Sequence, residues 1–163
     1  MRRVPFLHSI LVRSLNAIAA RFTVGAVGVV FNQRGEVLLL EHVYRHRYPW
    51  GLPGGWVSRR EQPDQALQRE LAEEVGLEVR VGPPVWIAKG RLHRHLETGF
   101  LCEVEGEGRI DHLSNEILSA RWVQPEGIIP DLHGIDREMV QRAQQLRSRL
   151  RPLSDGWEVA DGP

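Results

Sequence analysis

The sequence predicts an α/β fold, and three features predict it. Two apolar, β-rich runs lie next to each other near the start, an amphipathic helix with marked borders spans Pro63 to Val75, and a further series of strand-like runs ends in a second amphipathic helix. The chain has 163 residues, a size at which one domain with one core is the expectation. Hydrophobic residues make up 42% and charged residues 26%, ordinary values for a globular chain that buries a sizeable core, so disordered and fibrous classes drop out.

In chain order, MRRVPFLHSILVRSLNAIAARF imitates a secretory signal, with a basic start, an apolar stretch and small residues at AIAA. Arg13 breaks the apolar run, and no window reaches the length of a membrane span. Ile10, Leu11, Ser14, Leu15 and Ile18 recur at helical spacing instead, so residues 1–21 read as an amphipathic helix that packs on the domain or on a second copy. TVGAVGVVF, a turn at Asn32-Gln33-Arg34-Gly35, and EVLLLEHV then read as a hairpin buried at its centre. His42 to Val57 is rich in aromatic and basic residues, Pro and Gly, which suits a functional loop with a short strand.

The helix from Pro63 has proline in its first turn, Asp64 at the positive end of its dipole and Gly76 placed to end it in a left-handed conformation. Ala66, Leu67, Leu71 and Val75 form its apolar stripe. EVRV, PVWIAKGRL, TGFLCEVEG and SARWVQP read as strands, with turns at Gly82-Pro83-Pro84 and around Gly106 and Gly108. Asp136 to Leu150 reads as a closing helix with Met139, Val140, Ala143, Leu146 and Leu150 toward the core, and residues 152–163 as a loose tail. Residues 22–151 are therefore the expected domain.

Charge and cysteine content narrow the function. Lys plus Arg and Asp plus Glu both total 21, so no global excess points to nucleic acid or to an anionic membrane, and neither is an expected partner. The single cysteine, Cys102, excludes an internal disulfide framework and a multi-cysteine zinc site. A reducing cytoplasm fits.

The stretch RELAEEVG concentrates the chemistry. Glu70, Glu73 and Glu74 stand at i, i+3 and i+4, side by side on one helical face, where like charges repel. A merely solvated helix would mix bases in at these offsets, so this face calls for a counter-charge. Reading outward gives Gly55, five residues, Glu61, seven residues, Arg69-Glu70-Leu71, one residue, Glu73-Glu74, one residue, Gly76-Leu77. This segment resembles the Nudix box, GX5EX7REUXEEXGU with U aliphatic, at every fixed position from Gly55 to Leu77. Seven fixed letters at roughly one in fifteen each make a chance match on the order of one in a hundred million per register.

The resemblance implies a Nudix fold, an α/β/α sandwich around a mixed β-sheet, spanning about Phe22 to Leu150. It implies a metal-dependent hydrolase that cuts a diphosphate linkage in a nucleoside diphosphate linked to some moiety X. Its ligands would be Glu70, Glu73 and Glu74 with a backbone carbonyl near Gly54, and its cation Mg²⁺, with Mn²⁺ as a substitute. Glu61 is expected to pair with Arg69 and tie the loop to the helix. Glu116, before Trp122, occupies the place of a further glutamate that binds metal or acts as base, with Glu97 and Glu103 as weaker substitutes. Arg45, Arg47 and Trp50 before the box, and Arg91 and His95 after it, are the candidates to hold substrate, because Arg clamps phosphates and aromatic faces stack on bases.

Ser58 and Arg60 stand where many relatives carry Glu and Gly, and Arg60 would resist an unusual backbone angle. Landmarks of the ADP-ribose and dinucleoside polyphosphate subgroups are missing, which leaves the substrate open; a nucleoside triphosphate or modified nucleotide ranks slightly above a nucleotide sugar or ADP-ribose, and capped or triphosphorylated RNA ends rank lower because no basic excess is present. Isomerisation of isopentenyl diphosphate would want a catalytic cysteine and a second metal site that Cys102 and the scattered histidines do not assemble. A sensor that kept the fold and lost the chemistry is the remaining alternative, and a homodimer built through the N-terminal helix is an expected assembly.

Overall fold

A computed structural model describes residues 21–90, 92–127, 132–153 and 156–159. The expected N-terminal helix and Arg91 lie outside the described residues. Strand β1 (Thr23–Phe31) turns at Asn32 into β2 (Val37–His42), and two short strands follow, β3 (Trp50–Gly51) and β4 (Gly54–Trp56). Helix α1 (Pro63–Val75) comes next, then β5 (Val79–Lys89), β6 (His95–Val104), β7 (Ile117–Val123), helix α2 (Gly134–Arg147), β8 (Leu150–Leu153) and β9 (Gly156–Val159). The main sheet runs β3-β2-β1-β6-β5, with β4 paired to β1 and β7 to β2. It is mixed, because β1 lies parallel to β6 while β2 to β7, β1 to β4 and β5 to β6 are antiparallel.

Strand alternation divides the side chains between two cores. Ala26, Val30, Leu38 and Leu40 pack with Leu67, Leu71 and Val75 of α1 on one face. Val29, Phe31, Leu39 and Leu101 pack with Met139, Val140 and Ala143 of α2 on the other. The result is an α/β/α sandwich around a mixed sheet.

Helix α1 has the borders its sequence marks. Pro63 is its first residue, the Gln65 side chain accepts a hydrogen bond from the Gln62 backbone N–H at 3.1 Å, and Gly76 closes it with φ 69°. Its amide donates to the Ala72 carbonyl. Only glycine adopts that angle without strain from a Cβ.

Three elements differ from their sequence reading. Gly82-Pro83-Pro84 is not a turn; it lies within β5, where the pairing with β6 shifts register between Val81 and Pro84 and again between Pro84 and Trp86. The main sheet ends at β5, so residues that cannot donate to a ladder are tolerated there. Helix α2 stops at Arg147, and Leu150 opens β8. The tail read as loose pairs with itself, β8 against β9, and carries Trp157 onto the α2 core. A polar, glycine-bearing stretch hides one large aromatic anchor, and that anchor supplies the apolar area that orders it.

Candidate metal and diphosphate site

The acidic face of α1 meets the turn before β4 in a cavity of about 250 Å³. Glu70 and Glu74 reach it from the helix, Glu116 from the segment before β7, His42 from the end of β2, Arg45 from the loop after it, and Gly54 and Gly55 from β4. The two glycines matter because a Cβ on Gly55 would collide with the Glu70 carboxylate, and one on Gly54 with the Ala26 carbonyl of β1. Backbone and carboxylates therefore approach more closely than side chains would allow.

Glu74 is the most perturbed acid of the group. It is 9% exposed, and its Oε2 has no hydrogen-bond partner. Burial pushes its carboxyl up to about 7, and nearby Glu70 and Glu116 push the same way, against Arg45 and the Gly54 amide. An unpartnered buried oxygen among like charges is an unfavourable arrangement until positive charge is supplied.

Arg69 organises the rest. Its guanidinium forks onto Glu61 at 2.9 and 3.1 Å, and also donates to Glu70 at 2.9 Å, Glu73 at 3.3 Å and the Trp56 carbonyl at 3.2 Å. The Arg69 hydrogen bonds, with help from the Ser58 amide, hold the Glu61 carboxyl down to about 2. Glu61 is thus committed to joining the loop to the helix. Ser58 and Glu61 close that loop by a 3.1 Å backbone bond and a 3.0 Å bond from the Ser58 amide to the Glu61 carboxylate. Arg60 takes no positive φ there, as Arg94 is the only non-glycine residue that does among those described.

The structure brings some of the expected residues together and separates others. Gly54, Glu70, Glu74, Glu116 and Arg45 share the cavity. Glu73 does not line it; its side chain is 61% exposed and tied to Arg69. Arg47 is exposed with its guanidinium 5.6 Å from the Tyr48 ring centre and lines neither cavity. Trp50 is a correction: at 6% exposure it belongs to the α2 core, and Arg121 covers its ring at 4.3 Å. Alternation explains it, since Trp50 pairs with Glu41 on β2 and faces away from α1. Glu103 is held by Arg147 at 2.5 Å, far along β6, and is no substitute for Glu116. His95 and Glu97 line a second cavity beside the first.

Trp56 and His42, not proposed for the site from the sequence, also belong to it. Trp56 lines both cavities and is 52% exposed. His42 follows Leu38 and Leu40 along the α1-facing row of β2, so the period of two carries the row from core into cavity. Its Nε2 is buried without a partner, and burial, with Arg45 nearby, lowers its pKa to about 4. That alternation was legible, but where the core ended and the cavity began was not.

Among the described residues no three His, Cys, Asp or Glu side chains are gathered closely enough to hold a metal ion as they stand. Arg69 engages Glu70 and Glu73, and the remaining carboxylates repel one another. The donor set still fits a hard divalent cation: oxygen ligands on one helical face, an unpartnered buried Glu74 oxygen, and a side-chain-free backbone opposite.

Comparison with known proteins identifies the domain and its fold. The family model described as the NUDIX domain matches residues 21–143. A MutT-like protein from Streptomyces ambofaciens is 26% identical over 106 residues, 65% of this chain and 66% of that protein. An 8-oxo-dGTP diphosphatase from Proteus vulgaris is 30% identical over 100 residues, 54% of this chain and 89% of that protein. The first curated relatives are spanned over 32% to 66% of their own length. A solved structure of a Nudix hydrolase from Nitrosomonas europaea superimposes with a TM-score of 0.67 at 18% identity, over 85% of this chain and 78% of that one, a likeness of fold.

Proposed function

The chain belongs to the Nudix family, and on that premise we propose that it is a divalent-metal-dependent hydrolase of a diphosphate linkage in a nucleoside triphosphate or modified nucleotide. The observation that carries this is the buried Glu74 oxygen without a partner, in a cavity it shares with Glu70 and Glu116. Glu70, Glu73, Glu74 and Glu116, with the Gly54 carbonyl, would hold Mg²⁺, or Mn²⁺ in its place. A bound cation screens the diphosphate's charge and favours hydroxide at neutral pH. The chain's own residues do the rest by position. Arg69 fixes Glu61, Glu70 and the Trp56 carbonyl in one network, so loop and helix present their groups as a unit. Arg45 also lines the cavity, with its guanidinium lying against Gly51.

The test is hydrolysis of a panel of nucleoside triphosphates, oxidised nucleotides, nucleotide sugars and ADP-ribose with Mg²⁺, Mn²⁺ or EDTA. Metal-dependent turnover that Glu74→Gln abolishes, with the circular dichroism spectrum unchanged, is the expected result. Turnover unaffected by Glu74→Gln sinks the assignment, and tight metal-independent binding without turnover favours the sensor. Nucleotide-sugar or ADP-ribose hydrolysis is the second reading, separated by the same panel. The proposed setting is the cytoplasm; no helix of the described residues is long and apolar enough to cross a membrane. The amphipathic pattern of residues 1–21 supports a homodimer, and a monomer by light scattering at micromolar concentration would count against it.

A further inference from the structure

We propose that the second cavity, across the Gly54–Gly55 ridge from the carboxylates, is a nucleobase pocket that selects bases presenting two adjacent N–H donors, as guanine does. The proposal rests on the reading that the site takes a nucleotide. Two cavities, of about 250 and 180 Å³, share Arg45, Gly54, Gly55 and Trp56 in their walls. The first adds Glu70 and Glu74; the second adds His95 and Glu97. Strand alternation places them on opposite faces of β4. Gly55 turns toward α1, where a Cβ would meet Glu70, so its neighbour Trp56 turns the other way.

On that far face Trp56 pairs with Gly25 of β1, and Gly25 pairs in turn with Glu97 of β6. A Cβ on Gly25 would lie 2.9 Å from the His95 Nε2, so the glycine makes room for the imidazole. His95 is 8% exposed, anchored by a 3.0 Å contact between its Nδ1 and the Thr23 hydroxyl, and its ring centre is 4.8 Å from that of Trp56. The two faces thus differ in chemistry. One collects carboxylates for a cation, while the other offers an aromatic pair and one carboxylate.

A base is apolar on its faces and polar along its edge, and this wall matches both. Half-exposed Trp56, backed by His95, offers a ring to stack on. Glu97, two residues from His95 on the same side of β6, offers two acceptor oxygens, and among the described residues no hydrogen bond or ion pair occupies them. A carboxylate accepts two parallel N–H bonds. Guanine supplies that pair from N1 and its 2-amino group, whereas adenine and cytosine set an acceptor beside their amine and uracil has one N–H between two carbonyls.

The experiment measures binding of GMP, IMP, AMP and UMP by calorimetry, and hydrolysis of GTP and ATP with Mg²⁺, for the wild type, Glu97→Gln and Trp56→Ala. GMP should bind about tenfold more tightly than AMP, with IMP, which lacks the 2-amino donor, in between. Glu97→Gln should bring the GMP-to-AMP ratio close to one, and Trp56→Ala should weaken all four ligands by similar factors. A ratio left unchanged by Glu97→Gln, or a preference for AMP or UMP, overturns the pocket. If no triphosphate is hydrolysed but the Glu97-dependent preference for GMP persists, the pocket stands and the hydrolase reading falls. If turnover occurs with a base preference that Glu97→Gln does not move, the pocket falls and the hydrolase reading stands.

Discussion

Glu74 and His42 line one cavity and titrate in opposite senses. The Glu74 carboxyl ionises near 7 in the folded protein against 4.5 unfolded, so between those values only the native state holds the proton. Its contribution to stability is full below pH 4.5 and is lost as pH rises through 7. His42 titrates near 4 folded against 6.5 unfolded, so between those values only the unfolded chain holds the proton, and stability falls on acidification. In metal-free protein the two slopes oppose each other between pH 4.5 and 6.5. Thermal melts in EDTA should therefore show Glu74→Gln losing stability on acidification more steeply than the wild type, and His42→Asn less steeply. Parallel curves for all three would refute both shifts. Arg69 acts on a different quantity. Arg69→Met leaves Glu61 without its fork and should cost about 1–2 kcal/mol by urea unfolding, the range for a partly exposed charged network. Arg69→Lys should recover only part of this, because an ammonium cannot reproduce the bidentate geometry.

At the scale of elements, β4 carries two adjacent glycines whose roles separate cleanly. A methyl on Gly54 would strike the Ala26 carbonyl and lie 2.8 Å from the Val27 Cα, both backbone of β1. A methyl on Gly55 would strike the far end of the Glu70 side chain, which can swing aside. Gly54→Ala should therefore destabilise the fold by about 1–3 kcal/mol, the cost of overpacking against groups that cannot yield. Gly55→Ala should keep its melting temperature within a few degrees and lose turnover, since Glu70 is displaced from the cavity. Melting curves and kcat measured side by side check the contrast, and equal loss of stability in both would refute it. Helix α1 was legible almost to the residue because proline, an apolar stripe and a capping glycine are local signals. β5 was not, because whether Gly82-Pro83-Pro84 turns or continues depends on where the strand lies in the sheet.

Across the whole molecule, the hairpin β8–β9 is stapled to the α2 side by Trp157, which sits against Gly82, where any Cβ would overlap its indole. Trp157→Ala should cost about 2–3 kcal/mol, less than a fully buried tryptophan would. Its kcat/KM should match the wild type, since the hairpin lies across the sheet from Glu70 and Glu74, and Gly82, which Trp157 covers, is well along β5 from Ala88, the partner of Glu97. A matching loss of kcat/KM would show that the hairpin reaches the site. The same two-sided construction keeps Trp50 away from the carboxylates. Arg45 before it and Gly54 after it line the first cavity, but its own strand position turns it into the core behind the sheet.

The sequence by itself determined the family, the helix that carries the carboxylates, the pairing of Glu61 with Arg69 and the requirement for a counter-charge on Glu70, Glu73 and Glu74. Helical spacing places Arg69, Glu70, Glu73 and Glu74 on one helix, while the pairing of Arg69 with Glu61, which precedes the helix, followed from the resemblance to the Nudix box. Only the tertiary structure decided that Glu74 rather than Glu73 is buried, that Glu116 and His42 reach the same cavity, and that Trp56, His95 and Glu97 share a wall on the opposite face. Those groups come from strands distant in sequence. Their meeting depends on which strand pairs with which, and in what register, and side-chain chemistry along one segment does not encode that.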